Sequence, residues 1–266
     1  MQIQDAFSYE PGTIPLLVSI PHAGTKLTPA VEAGLSEAAR PLSDTDWHIP
    51  RLYDFAREMG AHILVGNYSR MVIDLNRPPD DKPLYATATT GLYPDTLFNG
   101  TPTFVEGKAP SPQERKRYLD EIWHPYHRKI QDCLSEIKAR HDYALLFDAH
   151  SIASVIPRLF DGILPDLNLG TNQGESCASS LGEKLSAFCQ GQPFSYIING
   201  RFKGGYITRA YGQPHARQHA VQLELAQCNY MREEIPFDYL PERAESLQPV
   251  LKALLTMMVE WGKTQG

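Results

Sequence analysis

Apolar runs alternate with amphipathic stretches along the whole chain. "PLLVSIP" (15–21), "AHILVG" (61–66), "RMVIDL" (70–75), "YALLFDA" (143–149), "YIING" (196–200) and "AVQLELA" (220–226) read as strands. Helical spacing of apolar positions fits 29–40, 46–59, 112–140, 174–190 and 242–262. Ser43 or Asp44 is placed to cap the second of these, with acids in its first turn. Pro125 interrupts the third, within "IWHPYHR", and predicts a kink or break there. Strands alternating with helices predict an α/β sheet covered by helices on both faces.

Two segments lack such periodicity. Residues 78–112 are rich in Pro, Gly, Thr and Asp, yet carry Tyr85, Leu92, Tyr93, Leu97 and Phe98. That mixture predicts an ordered lid or binding loop packed over something. The stretch 152–175 reads as a second loop. No repeat, low-complexity tract or linker divides the chain, so residues 1–266 are expected to form one domain.

Composition narrows the function classes. The chain is 42% hydrophobic and 21% charged, as in ordinary globular proteins, so disorder is not the expectation. A net charge of −6 without a basic run argues against nucleic acid or an anionic membrane as partner. No run approaches the ~20 apolar residues of a membrane span, and the first residues do not read as a leader. A cytoplasmic location is expected, and self-association is left open. Cys133, Cys177, Cys189 and Cys228 form no C-x-x-C pair and read as plain thiols, so a metal would have to use His and carboxylate.

The costly placements collect at strand ends, where open α/β sheets bind ligands. His22 follows the first strand; Asp148 and His150 follow 143–147; Asn76 and Arg77 follow 70–75; Glu224 sits inside "VQLELA". Two histidines and a carboxylate make a catalytic zinc set with room for water. Either Asp44 or Asp46, from "SDTDWH", could supply that carboxylate, and either could equally be a helix cap. His22 could be a structural histidine and Glu224 half of an ion pair. Asp148 could orient a metal-binding imidazole or pair with an arginine. There is no H-E-x-x-H and no G-x-S-x-G. His124 and His127 have a chelating spacing spoiled by Pro125. "GRFKGGY" (200–206) lacks P-loop spacing and reads as close backbone packing or a mobile loop. Arg70, Arg77, Arg158, Arg201, Lys203 and Arg209 concentrate near these ends, which suggests a cationic pocket for a small anionic substrate.

"SIPHAG", "DTDWHIPRLYDFA", "YSRMVIDLNRPP", "WHPYH", "DAHSI", "PRLFDGILPDLNLGT", "NGRFKGGYITRAYG" and "AVQLELAQCNYM" together resemble the N-formylglutamate amidohydrolases, over residues 8–235 and in the same order. The resemblance implies a zinc-carboxypeptidase-like fold: a mixed, mostly parallel sheet flanked by helices. It implies zinc-dependent hydrolysis of N-formyl-L-glutamate to glutamate and formate, in histidine degradation. By the same resemblance His22, Asp46 and His150 are the zinc ligands, with Glu224 as general base and then general acid. Arg70 polarises the scissile carbonyl, and Asn76 and Arg77 hold a substrate carboxylate. A second carboxylate is expected at Arg201 or Arg209. The chain departs from the family pattern at Ala210 and in "LYATAT" (84–89). Ala210 keeps a second reading open, an amidohydrolase for another N-acyl amino acid or small peptide. A third reading is a non-catalytic dicarboxylate-binding protein.

Overall fold

The computed structural model describes residues 3–84 and 89–264. Strand β1 (Phe7–Glu10) precedes β2 (Leu16–Ile20), helix α1 (Pro29–Gly34), the short helices α2 (Ile49–Leu52) and α3 (Phe55–Glu58), and β3 (His62–Gly66). Then follow α4 (Pro112–Tyr118), α5 (His124–His141), β4 (Ala144–Ile152), β5 (Leu167–Gly170), α6 (Ser179–Gln190) and β6 (Tyr196–Ile198). Helix α7 (Tyr206–Tyr211), β7 (Gln218–Ala226) and α8 (Pro241–Lys263) complete the order.

The strands form one seven-stranded sheet in the order β1-β3-β2-β4-β7-β5-β6. Pairings β1·β3 and β5·β7 are antiparallel and the others parallel, so the sheet is mixed and mostly parallel, as expected. The central strands β4 and β7 are buried along all nine residues. Both faces are covered, which is why their sequences read as near-continuous apolar runs. Alternation along a strand splits their side chains between two cores. Leu145, Phe147, Ala149, Val221, Leu223 and Leu225 join α6 and α8 on one face. Ala144, Leu146 and Ala220 join α5 and α7 on the other. Asp148, His150, Gln222 and Glu224 continue that second row toward the carboxyl ends of the strands, with Asp148 opposite Gln222 and His150 opposite Glu224. Core packing stops where this polar row begins, which leaves a cleft between sheet and loops.

Several sequence expectations are corrected. Residues 70–75 form turns rather than a strand. Met71, Val72, Ile73 and Leu75 are buried, but the Asp74 side chain accepts the Asn76 N–H and the Ser69 hydroxyl accepts that of Met71. Side chains that bind their own backbone turn the chain where apolarity alone suggests extension. The stretch 46–59 is two short helices, and α2 starts from His48 in a left-handed conformation instead of from Ser43 or Asp44. Helix 29–40 shortens to α1 with a 3-10 turn at Glu37–Ala39, and the fourth helix begins at Ser179. Strand β4 runs on through Ile152, so Asp148, His150 and Ser151 lie within it. Strand β1 went unread, and β5 lies inside the predicted second loop.

Pro125 does not break its helix. A π-helical turn, Leu119–Trp123, joins α4 to α5, and Pro125 falls in the first turn of α5. A wider turn accommodates a residue that has no N–H to give and a ring needing space. Among the described residues of the 78–112 loop, Leu92 and Leu97 are buried, and the Tyr93 hydroxyl donates to the Arg115 carbonyl. Tyr85 lies outside the described residues.

Candidate active site

Strand β2 ends at Ile20 and delivers His22; β4 delivers Asp148 and His150; β7 delivers Glu224. Asp46 comes from the turn before α2, where its N–H donates to the His22 carbonyl at 3.1 Å. Its Oδ2 accepts the Ser151 N–H at 3.1 Å. His22, Asp46 and His150 are buried, and one donor atom from each lies within 4.8 Å of the others.

The polarity of the imidazoles follows from their outer contacts. His22 Nε2 donates to Asp74 Oδ1 at 2.7 Å, and His150 Nε2 donates to Asp148 Oδ2 at 2.9 Å. The His22 proton therefore faces outward and its Nδ1 lone pair inward, whereas His150 Nδ1 lies 3.1 Å from Asp46 Oδ2 and, with the ring charged, donates to it. His22 Nδ1 and Asp46 Oδ1 are buried without a hydrogen-bond partner. Two buried acceptors left without a partner on neighbouring side chains are a poor arrangement for a protein alone. They suit a cation, and the carboxylate behind each imidazole is the usual support for a metal ligand. Asp44 points elsewhere: its carboxylate accepts the Phe98 N–H at 2.8 Å.

Electrostatics separate the two imidazoles. Burial lowers the pKa of His22, helped by the Arg70 charge. For His150 burial acts the same way, but the Asp148 and Asp46 charges outweigh it and hold the ring well above its ordinary value. Burial works against Asp74 ionising, yet His22 and Arg70 keep it well below the carboxylate range. Arg70 Nη2 donates to Asp74 Oδ2 at 2.7 Å, and Nη1 stands 3.8 Å from Asp46 Oδ1. One carboxylate thus holds a candidate ligand and the candidate carbonyl-polarising arginine in fixed relation. Sequence reading missed Asp74, although "VIDLNR" contains it, because a strand assignment left its side chain without a task.

Glu224 differs from its neighbours. Its carboxylate accepts no hydrogen bond from the described residues, and burial raises its pKa to about 8. A buried carboxyl of this kind is suited to exchanging protons near neutrality. It lines a cleft with His22, His150, Arg70, Asn76, Arg77 and Arg201.

The cationic groups divide. Asn76 is fixed by Ile207 N–H donating to its Oδ1 at 2.8 Å, so its amide nitrogen faces Asp148 at 3.2 Å. Gly205 packs so closely that a Cβ there would lie 2.3 Å from Asn76, which is the close-packing reading of "GRFKGGY". Arg77 lines the cleft while tying down its rim, donating to the Thr90 carbonyl and the Thr89 hydroxyl. Arg201 lines the cleft with its Nε on the Leu159 carbonyl. Arg209 is not among the described cleft-lining residues; its Nε donates to the Gly204 carbonyl at 2.9 Å. Ala210 packs on the core beyond the cleft.

His127 is not half of a metal pair with His124. Its Nε2 donates to the Leu75 carbonyl at 2.8 Å and its Nδ1 meets the Tyr211 hydroxyl at 2.9 Å. Burial brings its pKa down to about 3. The ring is neutral and supports the turn that carries Asp74, Asn76 and Arg77. The cysteines are free thiols, three buried and Cys228 half-buried. Among the described residues, no helix is long and apolar enough to cross a membrane.

A His–Asp–His group that could hold a metal ion, beside the buried Glu224 at the strand ends of an α/β sheet, is a donor set of the kind that metal hydrolases use. Comparison with known proteins narrows the class. Residues 14–231 match the N-formylglutamate amidohydrolase family, and the chain belongs to it. It is 60% identical to the N-formylglutamate deformylase of Pseudomonas aeruginosa over 262 residues, covering 98% of each chain. It is 58% identical to that of Pseudomonas putida over 256 residues, covering 96% of each. Its fold matches the crystal structure of N-formylglutamate amidohydrolase from Ralstonia eutropha with a TM-score of 0.84, at 20% identity and over 98% of this chain and 99% of that one. A gene product of Agrobacterium tumefaciens matches with a TM-score of 0.72, at 16% identity, over 98% and 95%.

Proposed function

We propose that this chain, acting as one amidohydrolase unit, hydrolyses N-formyl-L-glutamate to L-glutamate and formate. The observation that carries the reading is the convergence of His22, Asp46 and His150, one donor atom of each within 4.8 Å of the others, beside the buried Glu224, in a chain 60% identical to a deformylase. Zinc suits the donors, two imidazole nitrogens and one carboxylate with room for a further ligand. When bound, it would supply an acidified water and a Lewis acid for the formyl oxygen.

The chain's own residues supply the rest. Glu224 takes a proton from the attacking water and delivers it to the departing amine. Arg70, held by Asp74, donates to the oxygen that gains charge; a donor of this kind is worth about 2.7–4 kcal/mol to the barrier. Asn76 and Arg77 take one substrate carboxylate and Arg201 the other. The setting is histidine degradation in the cytoplasm.

The packing of Ala210 away from the cleft favours the formyl substrate over the second reading. The test is turnover of N-formyl-L-glutamate with and without a chelator. Formate release that stops on chelation and returns with zinc is expected. No release from the zinc-loaded protein would refute the proposal.

A further inference from the structure

The cleft has a neighbour. A second hollow, partly open to solvent, is lined mainly by Leu97, Phe98, Ile152, Ala153, Ile156 and Pro157, with Asp44, Ser151, Gln227 and Glu233 among its polar residues. It shares Phe98 and Ile152 with the cleft, so these two side chains form the partition between them.

The partition is firmly placed. The Phe98 N–H donates to Asp44 Oδ2 at 2.8 Å, and its carbonyl lies 3.5 Å from Arg158 Nη1. Its ring lies under the Arg70 guanidinium at 4.6 Å. Ile152 is the last residue of β4, two beyond His150, and is buried against Ile156 and Phe98. One member therefore touches the arginine that faces the scissile carbonyl, and the other follows a candidate metal ligand. Both line the cleft that holds His22, Arg70, His150 and Glu224.

In the reaction proposed above, on which this inference rests, the two sides of the amide differ sharply. The nitrogen side carries two carboxylates and needs cations. The carbonyl side of a formyl group carries only hydrogen. Once Asn76, Arg77 and Arg201 take the charged side, a larger acyl group would extend from the carbonyl into apolar surroundings. The apolar side chains next to Arg70 and His150 are those of the partition. We propose that Phe98 and Ile152 set the acyl-group limit of this enzyme, and that the hollow behind them is an acyl pocket, closed off from the cleft, for N-acetyl and longer N-acyl-L-glutamates.

An apolar pocket discriminates by about 10–200-fold per methylene. Wild type should therefore favour N-formyl- over N-acetyl-L-glutamate in kcat/KM by at least ~10-fold. In Phe98→Ala or Ile152→Ala that ratio should fall by at least ~10-fold, and N-butyryl-L-glutamate should become a substrate. Loss of the ring beneath Arg70 slows all acyl substrates alike, so the ratio isolates the opened space. Should a variant lose turnover, calorimetric titration with N-acetyl- and N-butyryl-L-glutamate gives the same comparison by affinity. Wild type that fails on N-formyl-L-glutamate refutes the proposed function. Wild type that succeeds, but shows no formyl preference or keeps it undiminished in both variants, overturns the partition alone. So does a pair of inactive variants that bind the longer acyl ligands no better than wild type.

Discussion

Asp74 Oδ1 accepts the Nε2 proton of His22 at 2.7 Å, and its other oxygen takes Arg70 at 2.7 Å. The ring's tautomer and the arginine's position thus share one carboxylate. Asp74→Asn should weaken zinc binding by about 10–100-fold, as loss of an imidazole's outer carboxylate does elsewhere. Competition with a chromophoric chelator measures this; an unchanged Kd would mean that His22 needs no such support.

His150→Ala should leave purified protein with little zinc after dialysis, against about one equivalent in wild type. A site with three protein ligands loses most of its affinity with one of them. Full occupancy by atomic absorption would remove His150 from the ligand set.

Glu224→Gln keeps the side chain's shape and removes the base. Zinc content should persist while kcat falls by ~10²–10⁴. A nearly unchanged kcat would assign the proton transfers to another group.

N-formyl-L-glutamine lacks one charge of the proposed substrate. It should lose at least ~10-fold in kcat/KM, since a charge-assisted hydrogen bond contributes about 1.5–3 kcal/mol. That penalty should shrink in Arg201→Gln, whose parent side chain lines the cleft, and persist in Arg209→Gln, whose parent is not among the described lining residues. The reverse pattern would move the second carboxylate to α7.

His127 should make stability pH-dependent. Burial holds its pKa at about 3, below the ordinary 6.5, so the unfolded chain binds the extra proton between those values. Its contribution is complete above pH ~6.5 and is lost as pH falls through that window, at up to about 1.4 kcal/mol per unit. His127→Gln can still donate to the Leu75 carbonyl but cannot titrate. Urea unfolding at pH 6.5 and 5 should show wild type losing about 1–2 kcal/mol more than the variant. Equal losses would mean that the ring is protonated in the folded state.

The central sheet was legible because β2, β4 and β7 are buried on both faces and read as near-continuous apolar runs. Their polar exceptions, His22, His150 and Glu224, stood out for the same reason: placing them there costs free energy. Residues 70–75 were misread because periodicity cannot tell a buried turn from a strand in so short a run. That error hid Asp74, whose partners His22 and Arg70 become visible only in three dimensions. The edge strand β1, whose burial alternates between half-buried and exposed, carries too little apolar signal to be read alone. Asp46 and Asp44 are chemically equivalent in sequence; what separates them is which one meets the Ser151 N–H and which the Phe98 N–H.

The π-helical turn Leu119–Trp123 holds one residue more than an α-helical path between the same ends would require. At its end Trp123 donates to the Arg77 carbonyl, and beyond it His127 donates to that of Leu75; before it, the Tyr118 hydroxyl meets the Thr28 side chain. Each helical residue accounts for about 100° of rotation. Deleting a single residue from the turn would swing α4 about 100° around its axis and tear Tyr118 from α1, while α5 kept its grip on the cleft. The extra residue is a phase correction: it lets one length of helix face the Leu75–Arg77 turn with its second half and α1 with its first.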